Sequence, residues 1–321
     1  MSDVVHRVGV IGLGAIGRVT LASMIDHDNF EVICAWDPNE AACAALRDSH
    51  AEVEIVQNSD AVIGDPRTSA IYIASPPLSH GAYIRAVAAA GKCIYSEKPL
   101  GIDVADSEEL VALVEARDAP NVINFNHGNA TASCHVESEL HSGAMGDVTG
   151  VDIFIHLTRW PRDFQAHATW LAGREQGGFT REMISHWVYL TRRLLGDGKI
   201  ISRQVRFPDD PELSENRLLA ELEFGGVPAV INAAVGGAGP VGTEYTLWGT
   251  KKSFRMHSGG RISAAQGGAW EPQFADIADL GQTDILRNIS AAAKSFCREP
   301  VKVPTLADGL AVQRIVEALI A

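Results

Sequence analysis

At 321 residues, 46% hydrophobic and 21% charged, the chain is long for one core and reads as two globular domains. Its formal charge of −13 repels phosphate backbones and anionic lipid, so nucleic acid and membrane surfaces are not expected as partners. No apolar run approaches the ~20 residues of a membrane span, and the opening MSDVVHRVGVIG lacks a basic segment followed by an apolar one, so a cytoplasmic protein is expected. RVGVIGLG (7–14) is a short β-rich run ending in glycine, and Gly17 to His27 reads as a helix. EVICAWD (31–37) predicts a strand, Asn39 to Arg47 a helix, SAIYIASPP (69–77) a strand stopped by prolines, and His80 to Ala90 a helix. KCIYSEKP (92–99) and NVINFN (121–126) predict strands around a helix from Asp103, a plausible N-cap, to Ala116. This alternation predicts an α/β Rossmann domain over residues 1–125, a doubly wound parallel sheet whose strands are buried on both faces.

After about residue 126 the pattern changes. Helices are predicted at 131–142 and 180–195, then strands at 148–158, 201–207, 218–224, 227–235, 243–249 and 252–258, separated by turn signals such as Gly225-Gly226. Consecutive strands joined by short turns pair antiparallel. Residues 126–321 are therefore expected to form a C-terminal α+β domain on an open, mostly antiparallel sheet, for substrate binding and oligomerisation. Helices at 283–297 and 305–320 close the chain, the last able to return to the first domain; Thr305 and Asp308 resemble a capping box. The five cysteines, Cys34, Cys43, Cys93, Cys134 and Cys297, are odd in number and form no CxxC, which suits reduced thiols in a reducing compartment.

Gly12-Leu13-Gly14-Ala15-Ile16-Gly17 is GxGxxG, placed after a predicted strand and at the opening of a helix. Asp37 ends the next strand, twenty residues after Gly17. In that context the pattern predicts a dinucleotide site. The first glycine permits a tight turn, the second lets backbone approach a pyrophosphate, and the third lets helix pack close to strand. Amide groups at the helix start then bind the diphosphate. Asp37 would accept hydrogen bonds from the ribose hydroxyls and repel a 2′-phosphate, so NAD is favoured over NADP, with Arg18 the one nearby cation.

Together GLGAIG, IASPPLSHG (73–81), AGKCIYSEKPLG (90–101) and GGFTREMISH (177–186) resemble the Gfo/Idh/MocA oxidoreductases, the glucose–fructose oxidoreductase and inositol dehydrogenase family. The resemblance is close over residues 7–117 and looser at 176–196. It implies that Lys98, between Glu97 and Pro99, lies beside the nicotinamide and hydrogen-bonds the reacting oxygen. Bottom-up chemistry agrees, because Lys98 falls at the carboxyl end of a parallel strand and a cation there stabilises a developing alkoxide. It also implies that His186 is the general acid/base. Imidazole suits that task near neutral pH. Glu182, four residues before His186 and so on the same helical face, stands where the family carries Asp, and the three-glycine entry is cut to two after Gln176.

Ser75, His80 and Glu97 join the expected cofactor residues; His80 fits either a position near the cofactor or an N-terminal cap. His127, Trp160, Arg162 and Arg181 are candidates for substrate. TRWPRDFQ (158–165) could roof a pocket for an anionic or ring-bearing substrate or be an exposed loop. No metal set emerges. The expected function is hydride transfer between a nicotinamide and a hydroxyl or carbonyl carbon of a sugar, polyol or related small molecule. The alternatives are reduction of an imine or enone in a non-sugar metabolite, and a catalytically silent dinucleotide-binding regulator. Apolar residues in 218–224 and 227–235, and the family's habit of pairing such sheets, suggest a homodimer or homotetramer.

Overall fold

The structure, a computed structural model, describes residues 4–321; the first three residues of the predicted 1–125 domain lie outside the described residues. The chain divides into two compact units. The first runs to Phe125 and takes in Ile285–Gln313; the second comprises Asn126–Asp284 and Arg314–Ala321. The stretch Ile285–Gln313 thus extends the first unit beyond the bounds read from sequence.

In the first unit, strands and helices alternate: β1 (His6–Ile11), α1 (Ala15–Ile25), β2 (Phe30–Trp36), α2 (Glu40–Ser49), β3 (Glu54–Ile55), α3 (Ser59–Gly64), β4 (Ala70–Ile73), α4 (His80–Ala89), β5 (Cys93–Ser96), α5 (Val104–Ala116) and β6 (Asn121–Ile123). The six strands are parallel in the order β3-β2-β1-β4-β5-β6. The chain leaves β1 in one direction for β2 and β3, then returns to its other side for β4. That reversal makes a topological switch point, where doubly wound sheets bind ligands at the carboxyl ends of their strands. All four residues of β4 are buried, as strands covered on both faces require. Asn39, Asn58 and Asp103 cap α2, α3 and α5 through their side chains, each satisfying an otherwise orphaned amide.

Further helix reaches this core from the far end of the sequence. Ile289, Ala292 and Phe296 of α8 (Leu280–Phe296) pack with Val8, Val10, Leu21, Met24 and Tyr72, and His6 Nε2 lies 3.0 Å from the Ala293 carbonyl. α9 (Leu306–Ile320) begins at the predicted box: Asp308 accepts from Thr305 N (2.9 Å), and Asp308 N donates to Thr305 Oγ1 (3.4 Å).

The second unit holds α6 (Thr131–His141), β7 (Val148–Leu157), α7 (Ser185–Leu195), β8 (Gly198–Arg206), β9 (Arg217–Phe224), β10 (Val227–Val235), β11 (Gly242–Gly249), β12 (Ser253–His257), β13 (Ile262–Ala265) and β14 (Glu271–Gln273). Its sheet runs β14-β13-β12-β11-β7-β10-β9-β8. Every pairing is antiparallel except β7 with β10. Burial alternates along β7, β9 and β10, so one face is packed and the other solvated. The packed face carries Val151, Ile153, Ile155, Leu218, Leu222, Ile231 and Tyr245, and Trp187 of α7 stacks on Tyr245 at 5.2 Å. Among the described residues no helix is long and apolar enough to cross a membrane.

Candidate functional site

The glycine loop has the geometry its sequence demands. Gly12 sits at φ +99°, and a Cβ there would lie 2.5 Å from the Ala74 carbonyl carbon and oxygen, so only glycine permits the turn. A Cβ on Gly17 would lie 2.3 Å from Gly12 O, which fixes the close approach of α1 to the loop. Gly14 differs: nothing lies within 4 Å of a Cβ built on it. It is the N-cap of α1 and brings no side-chain cap. Open space at an uncapped helix start, flanked by Ala15 and exposed Ile16, is a cradle for a diphosphate. The residues present therefore fit a dinucleotide.

Asp37 does more than the sequence indicated. Its Oδ2 accepts from Leu13 N at 2.7 Å, and its Oδ1 accepts from Asn39 N at 2.8 Å. The carboxylate fastens the glycine loop to the end of β2 while keeping lone pairs for a ribose.

Around the ends of β4 and β5 a second group assembles. Ser75 accepts from Ser79 Oγ at 2.7 Å. His80, fully buried, points one ring nitrogen at each of two carbonyls: Nε2 is 2.7 Å from Ser75 O and Nδ1 is 2.8 Å from Pro99 O. It is not a capping side chain; Ser79 occupies the N-cap of α4, and the imidazole instead ties the loop after β4 to the Lys98-Pro99 turn. Burial lowers its pKa, against the opposing pull of the two carbonyls. Glu97, grouped with the cofactor residues from sequence, is turned to the interior. It is buried, and its Oε1 accepts from Tyr72 Oη at 2.7 Å and Asn124 Nδ2 at 2.6 Å. Beside it Lys98 is half-buried, and the Lys98-Pro99 peptide is cis.

In the second unit the predicted helix over 180–195 starts as a π-helix, Thr180–Ile184, before continuing as α7. Such turns are uncommon and concentrate at functional sites. They also break the α-helical spacing that would set Glu182 and His186 on one face. Glu182 accepts from Gln165 Nε2 at 2.9 Å and pairs with Arg162 at 3.5 Å. His186 Nδ1 accepts from the Asn126 backbone N–H at 3.3 Å.

The start of this helix is held by a residue that sequence reasoning missed. Glu215 is buried and accepts from Thr180 N at 2.7 Å. Gly178, at φ +105°, makes room for it, since a Cβ there would lie 2.6 Å from Glu215 Oε2. Burial raises the pKa of Glu215, while its bonds from Thr180 pull the other way. No spacing rule links positions 35 residues apart in chain, so no sequence signal pointed to it.

Several substrate candidates are committed to packing. Arg181 is buried and forms a two-bond pair with Glu317, both contacts 2.7 Å, and its Nη1 donates to the carbonyls of Arg174 and Gly177. Its guanidinium serves the fold, which corrects its assignment to an anionic substrate group. Trp160 donates to Leu171 O at 2.8 Å. Arg162 donates to Gln165 Oε1 at 2.8 Å and lies over the Phe164 ring at 4.7 Å. These contacts knit residues 158–172 to the π-helix through Glu182. His127 packs on Trp187 at 4.2 Å, and burial pushes its pKa down to about 4, so its ring is neutral near pH 7.

Residues 6–125 match the family model GFO_IDH_MocA, described as an oxidoreductase family with an NAD-binding Rossmann fold. An inositol 2-dehydrogenase from Acidothermus cellulolyticus is 33% identical over 144 residues, 44% of this chain and 42% of that protein. A 1,5-anhydro-D-fructose reductase from Ensifer adhaerens is 26% identical over 196 residues, 60% of this chain and 57% of that protein. The matched stretches thus span about half the length of these curated relatives. Two solved structures share the fold along nearly the whole chain. An oxidoreductase from Agrobacterium radiobacter, in complex with NAD+, L-tartaric acid and magnesium, superposes with a TM-score of 0.84 at 18% identity, covering 99% of this chain and 95% of that one. A 3-ketoreductase from Actinomadura kijaniata, in complex with NADP and TDP-benzene, gives 0.83 at 19% identity, covering 98% and 97%. The glycine loop and the EKP turn both lie within residues 6–125, the part of the chain that matches the NAD-binding Rossmann fold of the Gfo/Idh/MocA oxidoreductase family.

Proposed function

We propose that the protein is an NAD(P)-dependent oxidoreductase acting on a hydroxyl or carbonyl carbon of a sugar, polyol or related small molecule. The observation that carries this reading is the cradle: open space over Gly14 at the uncapped start of α1, with Asp37 fastened to the loop beside it. Bound NAD(P) would supply the hydride acceptor or donor. The backbone of residues 12–17 would hold its diphosphate, and Asp37 its ribose. The family resemblance supports Lys98 as the group that stabilises negative charge on the substrate oxygen and His186 as the general acid/base. Relatives named for inositol and 1,5-anhydro-D-fructose support the substrate class. Reduction of an imine or enone in a non-sugar metabolite is the second reading; His127, Trp160 and Arg162 are engaged in internal packing and do not favour it.

The test follows absorbance of reduced NAD and NADP across sugars, polyols, amino sugars and hydroxy acids. Lys98→Ala and His186→Ala are each expected to lose at least about 10²-fold in kcat while still quenching or enhancing cofactor fluorescence on binding. Wild-type activity in either variant removes that residue from the mechanism, and fluorescence changes without turnover across the panel would favour the silent regulator. NAD is the favoured cofactor because the Asp37 carboxylate repels a 2′-phosphate. Asp37→Asn keeps an acceptor for the Leu13 amide but removes the charge, and should narrow the NAD preference by about tenfold, or ~1.4 kcal/mol.

A further inference from the structure

Lys98 stands between two residues that are each tied down from inside the first unit. On its amino side Glu97 is 9% exposed, and the Glu97 N–H donates to Ile73 O at 2.8 Å. The carboxyl oxygen Oε1 accepts from Tyr72 Oη at 2.7 Å and from Asn124 Nδ2 at 2.6 Å. Tyr95 Oη in turn donates to Asn124 Oδ1 at 3.1 Å, and the Tyr72 and Tyr95 rings meet at 5.2 Å. On the carboxyl side of Lys98, the Pro99 carbonyl lies 2.8 Å from His80 Nδ1. The tyrosines come from β4 and β5, and Glu97 and Asn124 follow β5 and β6 directly, so the polar group spans three neighbouring strands.

Apolar packing alone does not call for these hydroxyls. Tyr72 and Tyr95 otherwise share a core with Val8, Val10, Leu21 and Val122, where phenylalanine would fill the same space with no polar atom to satisfy. A satisfied buried network does something else: it rigidifies the segments that it joins. What this one joins is the backbone that carries Lys98. We propose that Tyr72 is a positioning residue, which through Glu97 fixes the turn bearing Lys98 and so fixes where the Lys98 amine sits. This rests on the oxidoreductase reading above, in which Lys98 stabilises charge on the substrate oxygen. Such stabilisation depends on placement, since a displacement of about 1 Å can cost about 10²-fold in rate. No proton, hydride or bond passes through Tyr72; its hydroxyl holds Glu97, and Glu97 holds its neighbour.

Two measurements test this, one of them free of substrate. The lysines of the full chain are reductively dimethylated with carbon-13 formaldehyde, and the Lys98 methyl resonance is identified by its loss in Lys98→Arg. Tyr72→Phe keeps the ring and removes the hydroxyl. Tyr95→Phe does the same one hydrogen bond further from Glu97. Cofactor binding shows that each variant folds. The Lys98 resonance is expected to move or broaden in Tyr72→Phe and to change less in Tyr95→Phe. A hydroxyl that only stabilises the core would lower the urea midpoint and leave that resonance as in the wild type, and this result overturns the proposal. Equal changes in the two variants also overturn it, because they would trace the effect to the core and not to the Glu97 bond. The second measurement is turnover. Tyr72→Phe should lose at least about tenfold in kcat while KM stays within about twofold, and an unchanged kcat overturns the proposal. If no substrate turns over in the wild type, the oxidoreductase reading fails, while the resonance by itself still decides whether Tyr72 fixes Lys98.

Discussion

His127 shows how a side chain taken for a ligand contact can be a stability switch. Packed on Trp187 and 3.3 Å from Ser133 Oγ, it has a folded pKa near 4 against 6.5 unfolded. The unfolded chain therefore binds a proton that the folded chain refuses. Stability is fully present above about pH 6.5 and is lost as pH falls toward 4. The shift corresponds to roughly 3 kcal/mol. The urea midpoint of the wild type should drop from pH 7 to pH 5 by more than that of His127→Phe, and equal pH slopes in the two proteins would show that the ring titrates as in water. Other residues differed in how far the sequence revealed them. Gly12 and Gly17 were readable because their roles are backbone roles, fixed by spacing along one strand–turn–helix. Arg181 was not, because what consumes its guanidinium is Glu317, remote in sequence.

Among the elements, the π-start of α7 depends on a contact from outside the helix. Glu215→Ala would leave the Thr180 N–H without its acceptor, at a cost of about 1–3 kcal/mol. Glu215→Gln keeps a carbonyl acceptor and should cost less than half as much. Gly178→Ala should be the most damaging, because it forces a Cβ into a φ of +105° and against Glu215 Oε2. Urea unfolding ranks the three, and an Ala variant at 215 as stable as wild type would remove Glu215 as the anchor. The helix itself was predicted over 180–195, but apolar periodicity does not separate a π-turn from an α-turn. The parallel strands were legible because their apolar runs end in glycine or proline. β3, β13 and β14, of two, four and three residues, are too short to show alternation, and α3 is a single capped turn and a half. They exist because neighbouring strands offer them an edge, which is tertiary information.

At the scale of the whole molecule, the solvated face of the second sheet points to self-association. Its central strands β7 and β10 turn Phe154 and Val230 outward at 45% and 47% exposure, whereas the edge strand β8 and its neighbour β9 carry the exposed Lys199–Glu223 pair. Exposed Phe and Val side chains interleaved with polar and charged ones fit the mixed composition of a protein interface. The pairing of β7 with β10 sets Val230 beside Asp152 and Phe154 beside Asn232, a mixed face that a two-fold related copy could cover with the same residues. We propose a second copy of this chain as the occupant. Phe154→Glu would place a carboxylate from each copy in the covered centre, and should weaken association by at least about 30-fold, the ~2 kcal/mol of a hot-spot side chain. Leu78→Glu, at an exposed site of the first unit, is the control and should leave the mass unchanged. Sedimentation equilibrium at micromolar concentration decides between the outcomes. A wild type that sediments as a monomer, or a Phe154→Glu variant that associates as well as wild type, would show that the face is not covered by another copy of the chain.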